Sequence, residues 1–326
     1  MRRLGRLLLV AAGLAAIAYM MAVTGVEALL EPVRTLSWRI AVVIALPYTA
    51  VAFLHTAAWR LLLPRASVSL RRLFAVRLAG EALNLGSVSV GGEPVKVYLL
   101  RPAVPLAEAS AAQVVDKTAI TVGQVLFLVV GLAVAIPRVD LPVDFLRAMA
   151  ALLGVQVLAV AGFVLVQRVG LGGWTLRVLA RFGVSPGGAS AGGLARFDRA
   201  LAGAYRERLG AVAGCVVVHL LGWLAGSLEV YLTLRWLDVQ TSFAAALAID
   251  AFGTGIKFMA FAIPGALGVL EGGYMLVFSV FGLGGGLGLS FTLVRRLRML
   301  AWSGAGLVIL AWMRAAPAPG RGLSTR

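Results

Sequence analysis

Two carboxylates stand in short, glycine-flanked segments inside long apolar stretches. Glu93 lies in Gly91-Gly92-Glu93-Pro94-Val95-Lys96, and Glu271 in Pro264-Gly265-Ala266-Leu267-Gly268-Val269-Leu270-Glu271-Gly272-Gly273. A carboxylate at membrane depth is costly to hold charged, so it marks a candidate site for a cation or a polar group. The glycines and prolines beside each one predict a helix break, and broken backbone survives in a bilayer only where protein buries it or it lines a polar cavity. One break in each half of a chain is the pattern of a transporter site between two repeats. Further polar residues in the apolar stretches are Asn84, Lys96, Asp116, Lys117, Gln124, Asp250, Lys257, Arg295, Arg296 and Arg298. Carboxylates can hold an ammonium and arginines can fork onto a phosphate. The set therefore suits a zwitterionic or phosphate-bearing headgroup, or else charges that mainly pair with each other. The candidate substrate-binding residues are Asn84, Glu93, Lys96, Asp116, Lys117, Lys257, Glu271 and Arg296.

Each has a plainer reading. Glu93 and Lys96, three apart, could form a salt bridge within one helix. Asp116 and Lys117 are adjacent, face different ways and need separate partners, Asp116 with Lys257 or an arginine. Arg295, Arg296 and Arg298 could snorkel to an interface. Glu229 and Asp250 line a path or pair internally. His55 and His219 stand alone on apolar helices, as satisfied core histidines or as proton-linked groups. The run Gly282-Leu283-Gly284-Gly285-Gly286-Leu287-Gly288 lacks the lysine-serine or lysine-threonine ending of a phosphate loop and reads as a turn or a close helix contact.

The elements that must carry these residues are membrane helices. The 326 residues are 60% hydrophobic and 13% charged, with a mean hydropathy of +0.94, whereas soluble domains carry about a quarter charged residues. The net charge of +16 comes without the solvated basic face of a nucleic-acid binder, so no nucleic-acid partner is expected. One cysteine, Cys215, and two histidines leave too few ligands for a usual zinc or haem centre, and no cofactor is expected. Apolar runs of about 20 residues, enough to span the bilayer, lie near 7–23, 39–63, 110–136, 146–167, 209–234 and 286–313. The first follows Arg2, Arg3 and Arg6 and reads as a retained helix and not a cleaved signal. The stretches 72–101 and 242–282 read as re-entrant helical hairpins. The expected fold is an all-α integral membrane protein of about six transmembrane helices plus two re-entrant helical hairpins in an inverted repeat. Residues 1–326 form a single polytopic domain, with 38–167 and 209–313 as repeat halves, 168–208 as a cytoplasmic basic linker and 314–326 as a disordered tail. The linker reads as an ordinary loop, with a surface helix as the alternative, since its arginines alternate with Trp174, Leu176, Leu179 and Phe182.

Placing both termini in the cytoplasm puts 18 basic residues inside and 5 outside, the bias that the positive-inside rule requires. This predicts a multi-pass protein of the bacterial inner membrane, with the first hairpin entering from the inside and the second from the outside.

The run Asn84-Leu85-Gly86 through Gly92-Glu93-Pro94-Val95-Lys96-Val97-Tyr98-Leu99-Leu100, followed by Val115-Asp116-Lys117-Thr118, resembles the first-half signature of the flippase-like family. That family is the membrane region of lysylphosphatidylglycerol synthases and their stand-alone relatives. Ile263-Pro264-Gly265-Ala266-Leu267-Gly268-Val269-Leu270-Glu271 resembles the second-half signature, and Leu293-Val294-Arg295-Arg296-Leu297-Arg298 the arginine stretch of its last helix. Asp116-Lys117 stands where the family carries a glutamate-arginine pair. The resemblance implies translocation of a lipid between leaflets, with an aminoacyl-phospholipid or, from the similarity to the hopanoid-associated branch, a hopanoid as cargo. No hydrophilic stretch here is long enough for the family's soluble aminoacyl-transferring domain, so lipid aminoacylation is not expected of this chain. Two other readings remain: a membrane-embedded transferase that modifies a lipid, and a non-transporting partner that docks lipid-synthesis enzymes on the 168–208 segment. A homo-oligomer is compatible with each.

Overall fold

The computed structural model describes residues 25–64, 68–84, 91–181, 188–260 and 263–313, and scattered positions before residue 25. Every regular element among the described residues is helical. A short amphipathic helix, α1 (Val26–Leu36), which the sequence reading did not single out, precedes α2 (Arg39–Leu62). There follow α3 (Leu70–Asn84), α4 (Glu93–Leu100), α5 (Leu106–Ala135), α6 (Val143–Val169), α7 (Leu171–Arg181) and α8 (Gly188–Glu207). The last group is α9 (Leu209–Trp236), α10 (Phe243–Phe258), a 3-10 turn (Pro264–Ala266), α11 (Val269–Val280) and α12 (Gly285–Trp312).

Four helices are long and apolar enough to cross a membrane: α2, α5, α9 and Val143–Arg168 of α6. The shortest, with 24 residues, extends roughly 36 Å, more than the roughly 30 Å of bilayer hydrocarbon. Helix α12 is as long as α9, 28 residues, but carries three arginines at its middle. On α6, Val155, Val157, Leu158 and Leu165 are exposed, Leu158 by 73%. An apolar surface of that kind belongs in lipid. The expected helix at 7–23 falls largely, and the expected tail at 314–326 wholly, outside the described residues.

Each stretch read as interrupted is two helices joined by a break. Between α3 and α4 the break includes Gly91 and Gly92, while Leu85–Val90, with the Gly86 of the motif, lies outside the described residues. The halves of each pair run antiparallel. Glu81 and Gly80 on α3 meet Lys96 on α4, with Asn84 on Gly92 nearer the break. Gly253 on α10 meets Tyr274 on α11, and Ile256 meets Gly273. In the second break Gly265 (φ 62°) and Gly268 (φ 77°) adopt the left-handed conformation that favours glycine.

The order of α2–α5 recurs in α9–α12, and the groups interlock. Helix α2 packs on α9, α3 on α12, and α5 on α10. At the last two contacts Gly306 faces the Leu78 carbonyl and Gly131 faces Ala251; Leu78 and Ala251 are the ninth residues of α3 and α10. The glycine run at 282–288 is a turn, with positive φ at Gly282 and Gly284, that leads into close packing of Gly288 on the Tyr274 backbone.

The 168–208 segment departs from the expected loop. It holds α7 and α8, because tertiary contacts outweigh its glycines. Asp198 accepts the Gly172 and Gly173 N–H groups (2.7 and 3.0 Å) in the first turn of α7, where amides lack partners within the helix. Leu201 is fully buried. Tyr205 Oη donates to Gln167 Oε1 (2.7 Å), and Arg208 donates to the Leu61 and Leu62 carbonyls at the end of α2 (2.8 and 2.9 Å).

Candidate functional site: two ion-pair networks at the helix breaks

The first network surrounds the α3–α4 break. Glu93, the first residue of α4, accepts from Lys117 Nζ (2.9 Å) and Gln113 Nε2 (2.6 Å) on α5, and from Lys96 Nζ one turn along its own helix (3.1 Å). Lys96 is 1% exposed and also pairs with Glu81 on α3 (2.6 Å). Asn84 ties the break together: its Nδ2 donates to Glu81 (3.1 Å) and its Oδ1 accepts the Gly92 N–H (2.7 Å). Gly92 has to be glycine, since a Cβ there would lie 1.9 Å from the Gly80 carbonyl oxygen. Deeper in the protein, Arg77 joins Glu81 (3.8 Å) to Asp116 (2.9 Å). Asp116 Oδ1 lies 3.0 Å from His219 Nε2, and His219 Nδ1 lies 2.8 Å from His55 Nδ1.

The second network surrounds the α10–α11 break. Glu271 accepts the Gly268 N–H (2.8 Å) and pairs with Arg296 (2.6 Å). Arg296, fully buried, also donates to the Gly265 and Ala266 carbonyls of the broken backbone. Arg295 sits between Glu229 (3.0 Å) and Asp250 (2.5 Å) and donates to the Tyr274 hydroxyl. Tyr274 in turn donates to Asp250 (3.0 Å), and Arg298 pairs with Glu229 (2.8 Å) over the Tyr48 ring.

The two networks share a register with some charges exchanged. Arg77, the eighth residue of α3, pairs with Asp116, the eleventh of α5; Asp250, the eighth of α10, pairs with Arg295, the eleventh of α12. The twelfth residue is a cation in both helices, Lys117 and Arg296, and each holds the carboxylate at its break, Glu93 and Glu271. Adjacent positions on a helix point about 100° apart, so each helix can serve the core with one charge and the break with the next.

The structure brings seven of the eight predicted site residues into these networks: Asn84, Glu93, Lys96, Asp116 and Lys117 in the first, Glu271 and Arg296 in the second. Lys257 stands apart. It is exposed near the end of α10 and forms no ion pair among the described residues, so the alternative that Asp116 pairs with Lys257 gives way to Arg77. The snorkelling alternative for Arg295 and Arg296 also fails, because both are buried and ion-paired. Arg77, on α3, lies buried in the core. Sequence reasoning passed over Arg77, Gln113 and Tyr274. The matched register of the two halves could have shown Arg77, since it fixes which residue opposes Asp116.

Asp116, Cys215 and His219 place three ligand-type atoms within 4.8 Å of one another. Arg77 occupies one Asp116 oxygen and His219 the other, and the Cys215 thiol is a buried free cysteine 4.0 Å from the carboxylate. A guanidinium in direct contact with the would-be ligand opposes a metal cation, and the trio is a hydrogen-bonded core.

A model of the family described as the lysylphosphatidylglycerol synthase TM region matches residues 6–306. The chain belongs to that family. No curated protein and no solved structure matches it. The match spans both breaks and both networks, so the paired carboxylates lie in the part of the chain that is lysylphosphatidylglycerol synthase TM region. With four helices fit to cross a bilayer, this member of the family is a membrane protein of a lipid-related family.

Proposed function

We propose that this family member moves a lipid with a charged headgroup between bilayer leaflets, through a path between its two broken helix pairs. The observation that carries the reading is the pair of carboxylates at the breaks, each held by the cation at the twelfth position of the next long helix. Eleven helical steps extend roughly 17 Å, about half the hydrocarbon thickness. Both pairs then lie near the midplane once α5 and α12 span the bilayer. Read as re-entrant hairpins entering from opposite sides, the two helix pairs form an inverted repeat, with the halves at 38–167 and 209–313 and both termini in the cytoplasm of a bacterial inner membrane.

A headgroup in that path exchanges water for protein charges. Seven cations (Arg77, Lys96, Lys117, Lys257, Arg295, Arg296 and Arg298) face six carboxylates (Glu81, Glu93, Asp116, Glu229, Asp250 and Glu271). The cation left over is the exposed Lys257, which suits a phosphate. Gln113 Oε1 is a buried acceptor beside Glu93 with no hydrogen-bond partner among the described residues, which suits an ammonium or a hydroxyl. These features favour an aminoacyl-phospholipid; a hopanoid cargo follows from the resemblance alone. The chemistry read here is binding and exchange of ion pairs, not bond-making. The cationic surface of α7 and α8 supports a second role, docking of lipid-synthesis enzymes.

The test is the leaflet distribution of labelled lipids in proteoliposomes, for wild type beside Glu93→Gln and Glu271→Gln, with melting curves to show that all three fold. Wild type is expected to speed equilibration of phosphatidylglycerol or aminoacyl-lipid probes, and both substitutions to abolish the gain. Equal rates in wild type and protein-free vesicles for every probe would refute translocation. Loss of function only on altering residues 168–208 would favour docking.

A further inference from the structure

We propose that the buried His55–His219 pair is a proton-binding site that couples lipid movement to a proton gradient. The coupling rests on the translocation reading above; the proton site itself does not. These are the two histidines of the chain, 164 residues apart in sequence, on α2 and α9, and they are 7% and 0% exposed. Their rings are fitted to each other. A Cβ at Gly222 would lie 2.6 Å from the His55 ring, and one at Gly123 would lie 3.2 Å from His219 Cβ.

The hydrogen bonds set the resting protons. Asp116, ion-paired to Arg77, is acceptor-only, so His219 Nε2 carries a hydrogen toward it at 3.0 Å. A neutral His219 then presents a bare Nδ1, and across 2.8 Å His55 Nδ1–H donates to it. His55 Nε2 is left with a lone pair and has no hydrogen-bond partner among the described residues. A proton arriving there makes His55 an imidazolium. Its Nδ1 proton can then cross to His219, which moves the positive charge next to Asp116, and the pair has gained one proton in all.

The titratable and charged groups around the pair come from six elements. Arg77 and Glu81 lie on α3, Asp116 on α5, Cys215 on α9 itself, and Asp250 on α10, which lies against Gly226 one turn beyond Gly222. Tyr48, two turns along α2 from His55, meets Arg298 on α12. Of these, Arg77 connects the pair to the break. It donates to the His55 carbonyl (2.9 Å), holds Asp116 (2.9 Å) and lies 3.8 Å from Glu81. Glu81 holds Lys96, and Lys96 holds Glu93. A charge on His219 competes with Arg77 for Asp116, shifts Arg77 toward Glu81 and loosens Lys96. Proton occupancy and the state of the Glu93 site are thereby linked, and the linkage is reciprocal.

The test uses the full chain in nanodiscs with ¹⁵N-labelled histidine, so that every signal belongs to the pair, titrated from about pH 4 to about pH 9. The two rings are expected to titrate together with uptake of one proton, and Glu81→Gln to move their midpoint. Rings that stay neutral throughout, or a midpoint that Glu81→Gln leaves unchanged, would overturn the proposal. A second arm imposes a pH gradient on proteoliposomes containing phosphatidylglycerol and aminoacyl-lipid probes. At one proton per lipid, each pH unit sustains up to about tenfold lipid asymmetry, and His55→Asn is expected to equilibrate the lipid without asymmetry. Lipid movement whose end point ignores the gradient in wild type refutes the coupling and leaves translocation standing. Absence of any lipid movement refutes both of these, while the titration still decides the proton site.

Discussion

Asp250→Asn isolates the energetics of the second network. Four charges balance there: Asp250 and Glu229 against Arg295 and Arg298, with Asp250, Glu229 and Arg295 exposed by 2%, 1% and 7%. Asparagine preserves shape and can still meet Tyr274 and Thr254, but it leaves one buried positive charge unmatched. Removing one partner of a buried pair costs about 3–5 kcal/mol, whereas replacing both with groups of similar volume is often near neutral. Asp250→Asn combined with Arg295→Met leaves Glu229 with Arg298 and a neutral core. In nanodisc melting experiments the single substitution is expected to lower Tm by roughly 5 °C or more, and the double substitution to recover most of that loss. Asp144→Asn is the control, since the Asp144–Arg147 pair is 94% and 76% exposed and surface pairs contribute about 0–1 kcal/mol. A single substitution no worse than this control, or a double one as harmful as its two parts added, would refute the assignment of a closed, buried charge balance.

The glycines divide by what a methyl group would meet. Gly306→Ala puts Cβ 2.3 Å from the Leu78 carbonyl oxygen and Gly92→Ala puts it 1.9 Å from that of Gly80, whereas Gly304 and Gly272 face open space. The first two substitutions are expected to cost about 1–3 kcal/mol or more from overpacking, the latter two well under 1 kcal/mol, as read by melting. Cys215, fully buried and the only cysteine, is expected to react with a maleimide only as fast as the protein unfolds; rapid labelling of the folded protein would contradict its place in the core. Lys257→Met is expected to leave Tm unchanged and to slow movement of anionic lipid probes several-fold more than that of zwitterionic ones, measured in proteoliposomes.

The apolar runs, the two glycine-rich breaks and the carboxylates inside them were legible in the sequence, because a bilayer imposes length and hydropathy on each helix separately. Family membership was legible for the same reason: Gly92-Glu93-Pro94 and Pro264-Gly265 are local signals. Partner choice was not. Whether Asp116 meets Lys257 or Arg77, and whether His55 and His219 are solitary or shared, depends on α2 packing against α9 and on Arg77 reaching from α3 to α5, which no periodicity along one helix encodes. The basic segment at 168–208 reads as a loop, with a surface helix as the alternative, and it is helical because Asp198 and Leu201 stabilise α7 and α8 through contacts distant in sequence, against the local vote of its glycines. Residue spacing alone sets where the charges sit along each helix, since every residue advances the helix by about 1.5 Å. Which charges neutralise each other follows from packing, because ion pairing acts over about 3–4 Å, and only the packed helices bring those atoms so close.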